Sequence, residues 1–183
     1  MLSEYLRNLS PKFKNVLEVG CGFGRITKLV ISNHPDIQKY TAIDLSPDQI
    51  NNAEQYVRSG IGNRRIKDIE LIFAVSDIMS LDLDGKFDLV LAAEVLLHII
   101  PSQIKEAMTK LVELSNRDII NVDYYQEKIT RLAPHNFLHQ YEKIYHEIPT
   151  IREVRRIPIK KAGLFGVDTK QSLFHAVRDE IPN

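Results

Sequence analysis

Val16-Leu17-Glu18-Val19-Gly20-Cys21-Gly22-Phe23-Gly24 is the stretch that decides the fold of this chain. Asn15 to Val19 is a short apolar run that reads as a buried strand. The glycines after it read as a sharp turn, and Arg25 to Ser32, with Ile26, Leu29 and Val30 on one face, reads as a helix. Asn33-His34-Pro35 stops that helix. Glycine lets the backbone turn tightly and lets a ligand lie against it with no β-carbon in the way. The amides that open the helix can hold a carboxylate or phosphate, and in doubly wound sheets ligands collect at the carboxyl ends of strands, where this turn falls. The dinucleotide fingerprint G-x-G-x-x-G does not fit: with Gly20 and Gly22 as its first glycines, its third falls on Arg25. The Lys-Ser/Thr of a phosphate-binding P-loop is also missing.

The neighbouring segments repeat the alternation. Tyr40 to Asp44 is a second strand. Ser46-Pro47-Asp48-Gln49 opens a helix, with Ser46 as cap, Pro47 at the first helical position and Gln49 closing a capping box. Ile50, Ala53 and Val57 form its inner face, and Gly60 ends it. Ile69 to Asp77, Phe87 to Glu94 and Asp118 to Asp123 are further strands. A helix striped by Ile104, Ala107, Met108, Leu111 and Leu114 precedes the last of them. Strands alternating with helices of this length predict an α/β fold, a mostly parallel sheet with helices on both faces. Leu2, Tyr5, Leu6 and Leu9 predict a short opening helix. Phe137, Tyr141, Ile144, Tyr145 and Ile148 predict a helix over residues 135–148. Ile151 to Ile159 and Ser172 to Arg178 are joined by too short a connection for a crossover helix, so they predict an antiparallel hairpin at the sheet edge. Pro158 suits an edge position or a strand end there.

Composition narrows the class. The 183 residues are 44% apolar, enough for one sizeable core, and 26% charged. Lys plus Arg and Asp plus Glu both number 24, so a globally basic nucleic-acid binder is disfavoured, although a local patch is not. A single Cys excludes an intramolecular disulfide framework and a Cys-based zinc cage. No apolar run approaches the ~20 residues of a membrane span, and the polar N-terminal stretch lacks the apolar segment of a signal peptide. The expectation is a cytoplasmic protein of one domain.

Three acids stand at informative places. Glu18 lies inside an otherwise apolar strand, where burial without a partner is costly, so it is expected to face a cationic or hydrogen-bond-donating ligand. Asp44 ends the second strand, 20 residues beyond Gly24, where an acid can accept both hydroxyl hydrogens of a ribose. Asp77 ends the third, where an acid can meet the amino group of an adenine. Each has a plainer reading, Asp44 as a cap and Asp77 as a turn residue. Together with the glycines they form a set.

Residues 15–123 resemble the core of a class I S-adenosylmethionine-dependent methyltransferase. VLEVGCGFGRIT resembles that family's first motif, with Glu18, Gly20, Cys21, Gly22 and Gly24. Asp44, followed by Leu45, resembles its ribose-binding acid, Ser76-Asp77-Ile78 its adenine-contacting segment, and FDLVLAAEVLLHI its fourth-strand motif. The resemblance implies a Rossmann-like seven-stranded sheet whose last two strands form the edge hairpin. It implies S-adenosyl-L-methionine as cofactor, and it places Glu94 and Val95 beside the methionine part. It divides the chain into an N-terminal helix and lid (1–14), a cofactor-binding core (15–123), and a substrate-side helix with the edge hairpin (124–183). Since a carboxylate on the sulfonium would favour the ground state, Glu18 is expected at the ammonium end, and Tyr5 is placed as part of the lid.

The implied activity is methyl transfer to an oxygen or nitrogen of a small molecule. Such an acceptor can need a positioned base. His135 and His139, four apart on one predicted helical face, are candidates for contacting the acceptor or taking its proton; a solvated polar face is the alternative. Tyr124, in Asp123-Tyr124-Tyr125, either walls the methyl path or packs as a core aromatic. His98 is a base or a structural histidine near Pro101. No zinc site is expected, because sequence places no third ligand beside the histidines; a magnesium-dependent variant would draw on Glu94 and Asp123. Cys21 reads as a small packed residue. Arg152, Arg155, Arg156, Lys160 and Lys161 read as a solvated edge strand, or as a docking patch for RNA. The absence of an Asn/Asp-Pro-Pro-aromatic motif after the fourth strand, where Ala93-Glu94-Val95-Leu96 stands, counts against nucleobase methylation. A non-catalytic cofactor-binding protein is the third reading.

Overall fold

Short runs of β-branched and large aliphatic residues become strands here because both faces of the sheet are covered at its centre. Nearly every position along the five central strands has a dry surface to meet, while the two edge strands are partly exposed. The computed structural model describes residues 2–9, 12–62, 67–81, 86–125, 131–159 and 171–179. Its strands are β1 (Asn15–Val19), β2 (Lys39–Asp44), β3 (Glu70–Val75), β4 (Phe87–Ala93), β5 (Ser115–Tyr124), β6 (Arg131–Ala133), β7 (Asn136–Phe137), β8 (Ile151–Pro158) and β9 (Gln171–Arg178). Its α-helices are α1 (Leu2–Arg7), α2 (Arg25–Asn33), α3 (Pro47–Gly60), α4 (Ile104–Leu114) and α5 (Tyr141–His146).

Seven strands form one sheet in the order β3-β2-β1-β4-β5-β9-β8, parallel from β3 to β5 and antiparallel where β9 joins β5 and β8 joins β9. The expected seven-stranded architecture is the one observed. The hairpin folds back so that its second strand lies inside and β8 forms the rim, with Pro158 at the strand end.

Alternation along each strand sends neighbours to opposite faces. Leu17, Val19, Val90, Ala92, Ile119 and Phe174 pack under α4 and α5, joined by Met108, Leu111, Tyr141 and Tyr145. Val16, Tyr40, Leu89, Leu91, Ile120 and Leu173 pack under α1, α2 and α3, joined by Leu6, Val30, Ala53 and Val57. Each fully buried Leu or Ile of this kind contributes about 2 kcal/mol. Ser46 caps α3 as expected, its hydroxyl accepting from Gln49 N, with Pro47 opening the helix.

Two expectations change. The helix expected over 135–148 begins only at Tyr141; the segment before it makes the small β6–β7 hairpin. The aromatic periodicity misleads because Phe137 belongs to the hairpin, while Tyr141, Ile144 and Tyr145 carry the stripe of the helix and Ile148 packs just after its end. The second concerns α1. Tyr5 packs edge-on against His175, and its hydroxyl lies 2.9 Å from His175 Nδ1. His175 Nε2 lies 2.8 Å from Asp118 Oδ1 in the amino-terminal half of β5. With the ring proton on Nε2, His175 donates to Asp118 and accepts from Tyr5. Burial opposes ionisation of Asp118, but hydrogen bonds from His175 and Arg117 outweigh it and hold the carboxyl below its usual range. Tyr5 is thus a clasp between α1 and the sheet, not a lid.

Tyr5→Phe should lower unfolding free energy by about 1 kcal/mol, the net worth of one hydrogen bond. Urea denaturation checks this, and an unchanged midpoint would show the clasp to be idle.

Candidate active site

The turn after β1 carries three glycines at positive φ: Gly20 at 68°, Gly22 at 53° and Gly24 at 86°. They serve different ends. A β-carbon on Gly20 would lie 2.3 Å from Val95 Cγ2, and one on Gly24 would lie 2.9 Å from Val57 Cγ2 and 3.1 Å from the Ala53 backbone. Those two glycines allow close packing of protein on protein. A β-carbon on Gly22 would meet nothing within 4 Å, so its bare backbone faces open space. The turn is tied to β2 twice: Cys21 N donates to Ile43 O (2.9 Å), and Gly22 N donates to Asp44 Oδ2 (2.9 Å). Asp44 Oδ1 accepts from Ser46 N (2.9 Å), so one carboxylate organises both the glycine turn and the start of α3.

Beside this turn lies a cavity of about 640 Å³ at the carboxyl ends of β1 to β4. Gly20, Gly22, Asp44, Leu45, Asp77, Ile78, Glu94 and Val95, all expected there, line it. Asp77 starts a 3-10 turn, Ile78–Ser80, its Oδ1 accepting from Met79 N (2.9 Å). Glu94 has φ 59°, the one positive value outside glycine among the described residues, in a region that costs most side chains about 1–2 kcal/mol. Its amide donates to Val122 O (2.7 Å), and its Oε1 accepts from Gln171 Nε2 (2.5 Å) at the start of β9.

Glu18, Cys21 and Gly24 do not line the cavity. The Glu18 carboxylate is buried beneath the turn, where its Oε2 accepts from Thr27 Oγ1 (2.5 Å) and Tyr40 hydroxyl (2.7 Å). These protein donors, not a ligand, answer the cost of its burial. Desolvation still prevails over both bonds and lifts Glu18 to about 7. Cys21 is buried with its Sγ near Gly22 O, and burial pushes its thiol up to about 12, which suits a packed residue rather than a nucleophile.

The three residues expected to act on the acceptor stand outside the cavity lining. His135 is exposed on the β6–β7 turn. His139 is buried outside any helix, its ring against Tyr141 and its Nε2 2.9 Å from Ile99 O; burial holds it below the usual histidine range. The two therefore share no helical face, and His139 braces the segment after β4. Tyr124 ends β5 half-buried, opposite Gln171 in register. His98 instead lines the cavity, with Nδ1 3.4 Å from His135 O. Ser76, read as part of the adenine-contacting segment, and Gln49, read only as a capping residue, also line the cavity. Gln103 and Gln171 carried no sequence signal, because polar residues at strand or helix ends look alike until a tertiary neighbour selects them. Behind the wall, Asp123 is buried, bonded to Asn121 Nδ2 (3.2 Å) and Leu97 N (3.4 Å), and burial lifts it to about 8.

The basic edge strand is largely neutralised: Arg155 pairs with Glu153, while Arg156 pairs with Glu142 and sits 4.2 Å over the Tyr125 ring. Lys160 and Lys161 lie outside the described residues. Among the described residues, no group of three or more His, Cys, Asp or Glu is placed to hold a metal ion, and no helix is long and apolar enough to cross a membrane.

Comparison with known proteins agrees with this geometry. Residues 16–118 match the model of the methyltransferase domain family. The malonyl-[acyl-carrier protein] O-methyltransferase of Acetivibrio thermocellus is 37% identical over 78 residues, 43% of this chain and 24% of that protein. The enzyme of the same name from a Paenibacillus species is 33% identical over 78 residues, 42% of this chain and 26% of its own length. The aligned segment thus spans about a quarter of these curated relatives. Among solved structures, magnesium protoporphyrin IX methyltransferase from Synechocystis with bound SAM superposes with TM-score 0.70 at 18% identity, covering 97% of this chain and 76% of that one. The N-methyltransferase NodS of Bradyrhizobium japonicum, in complex with S-adenosyl-L-homocysteine, does so with TM-score 0.70 at 21% identity, covering 98% and 86%. The chain belongs to the methyltransferase domain family.

Two outcomes test the site. Glu18 holds its proton more tightly folded than unfolded, so its contribution to stability falls as pH rises from about 4.5 through about 7. Glu18→Gln should escape that loss: its stability relative to the parent should grow over this window by about 3 kcal/mol and then level. Parallel urea-midpoint curves from pH 4 to 8 would contradict the assignment. Gly24→Ala should destabilise by at least ~2 kcal/mol through its clash with α3, whereas Gly22→Ala should cost only the ~1 kcal/mol of its positive φ; thermal melts separate the two.

Proposed function

We propose that the chain transfers a methyl group from S-adenosyl-L-methionine to an oxygen or nitrogen of a small-molecule acceptor. The observation that carries the reading is the bare Gly22 backbone, held by Asp44 at the wall of a cavity whose other acids end successive strands. That cradle fits the cofactor. The cofactor brings a methyl group on a sulfonium, already activated for attack.

The remaining work belongs to the protein. Asp44, with Leu45, takes the ribose. Each of its oxygens already accepts one amide, and a carboxylate oxygen can accept a second hydrogen. Asp77 and Ile78 take the adenine edge; the bare Gly22 backbone leaves room for the methionine arm, beside the packed pair Gly20 and Val95. Val19, Ile78, Met79, Val95, Ile99 and Ile100 give the cavity its apolar lining and limit water around the reacting groups. Alignment and desolvation are the main contributions such a site makes, because the methyl group needs no further activation. Of the candidate bases, His98 has the position: a tautomer donating from Nδ1 to His135 O leaves Nε2 as the acceptor for a proton. The carrier-protein acceptor of the curated relatives belongs to enzymes about four times the length of the aligned segment, so the small-molecule reading here rests on the cavity.

Titration calorimetry with S-adenosyl-L-homocysteine tests the assignment. The protein should bind it, and Asp44→Ala should weaken binding about tenfold or more, the worth of one bond to a charged group, while the fold is retained by circular dichroism. No heat of binding with the parent protein would remove the reading.

A further inference from the structure

We propose that Glu94, held in place by Gln171, selects an amine nitrogen as the methyl acceptor and excludes carboxylates. The inference rests on the methyltransferase reading and names the substrate class for the same site.

Glu94 follows β4 directly and is exposed to the cavity that it lines. Its left-handed backbone, at φ 59°, is a conformation a glutamate adopts only when its surroundings impose it. Two contacts impose it: the amide bond to Val122 O and the side-chain bond from Gln171, a residue 5% exposed at the start of β9. Gln171 saturates only part of the carboxylate. Two oxygens offer about four acceptor positions, and one is filled. The remainder is a fixed set of acceptors carrying negative charge.

The charge around it points the same way. The cavity lining includes the carboxylates of Asp44, Asp77 and Glu94, and among the described lining residues none is Lys or Arg. Asp44 is committed to two backbone amides and Asp77 to one. Glu94 is the acid held by a side chain alone. An anionic acceptor brought to this wall would meet like charge with no Lys or Arg of the lining to offset it. An amine would donate its N–H to Glu94, which orients the nitrogen lone pair. That lone pair then forms the new N–C bond as the donor's S–C bond breaks and leaves its electron pair on sulfur. Positive charge moves from sulfur to nitrogen, beside the carboxylate, and the extra proton of the methylated ammonium leaves to water. Glu94 therefore stabilises charge that develops only as the reaction proceeds.

The test uses Glu94→Gln, which keeps the shape and can still accept from Gln171 but removes the charge. Benzylamine and benzoate serve as probes of the S-adenosyl-L-homocysteine-loaded protein, followed by NMR titration. Benzylamine should bind the parent protein at least about tenfold more tightly than benzoate. Glu94→Gln should erase most of that preference, both probes being measured on protein saturated with S-adenosyl-L-homocysteine. With S-adenosyl-L-methionine, mass spectrometry of an acceptor panel should find methylated amines and no methyl esters. Equal affinities of the two probes, undetectable benzylamine binding, methyl ester formation, or a Glu94→Gln loss confined to S-adenosyl-L-homocysteine would each overturn the proposal. Failure of the parent protein to bind S-adenosyl-L-homocysteine at all would instead overturn the methyltransferase reading beneath it.

Discussion

The hydrogen bond from Gly22 N to Asp44 Oδ2 is the constraint on which the site depends. It joins the turn after β1 to the end of β2, and through Asp44 Oδ1 it also anchors the start of α3. A turn 22 residues upstream and the helix that follows β2 therefore meet at one carboxylate. The glycines make this meeting feasible, since all three sit at positive φ and two of them would collide with neighbours if they carried a β-carbon. Only Gly22 is spare in this sense, and its spare space opens toward the place where a ligand has room.

Buried acids support that surface from below. Glu18 and Asp123 are both removed from solvent, and each is held by donors from the protein itself. Glu18 braces β1 against α2 and β2 through Thr27 and Tyr40. Asp123 braces the turn after β4 through Leu97 N, and Asn121 links it to Tyr145 hydroxyl at 3.0 Å. Both acids are driven upward by desolvation. They hold the wall in place from behind it, while Asp44, Asp77 and Glu94, which line the cavity, set its polarity.

The wall proposed to meet the acceptor is assembled differently. Glu94 and His98 come from the segment after β4, and Gln171 comes from the last strand of the sheet. That arrangement follows from topology. The antiparallel return of β9 alongside β5 brings the start of β9 next to the end of β5, at the same rim as the glycine turn. A final strand that continued the parallel pattern would have placed its first residue at the opposite rim.

The alternation of strands and helices, the glycine turn, the capped start of α3, the terminal hairpin and the acids at the ends of β2 and β3 were all legible in the sequence. Each rests on local chemistry: periodicity, positive-φ glycines, an N-cap serine followed by proline. What sequence could not decide was where side chains point once a strand is buried on both faces. Glu18 looked like a ligand contact because its donors, Thr27 and Tyr40, sit on other elements. His135 and His139 looked like a helical pair because aromatic spacing continued past the true start of α5. Glu94 and Gln171, 77 positions apart, could be joined only by the tertiary structure, since burial, register and the return of the last strand determine which polar groups find each other.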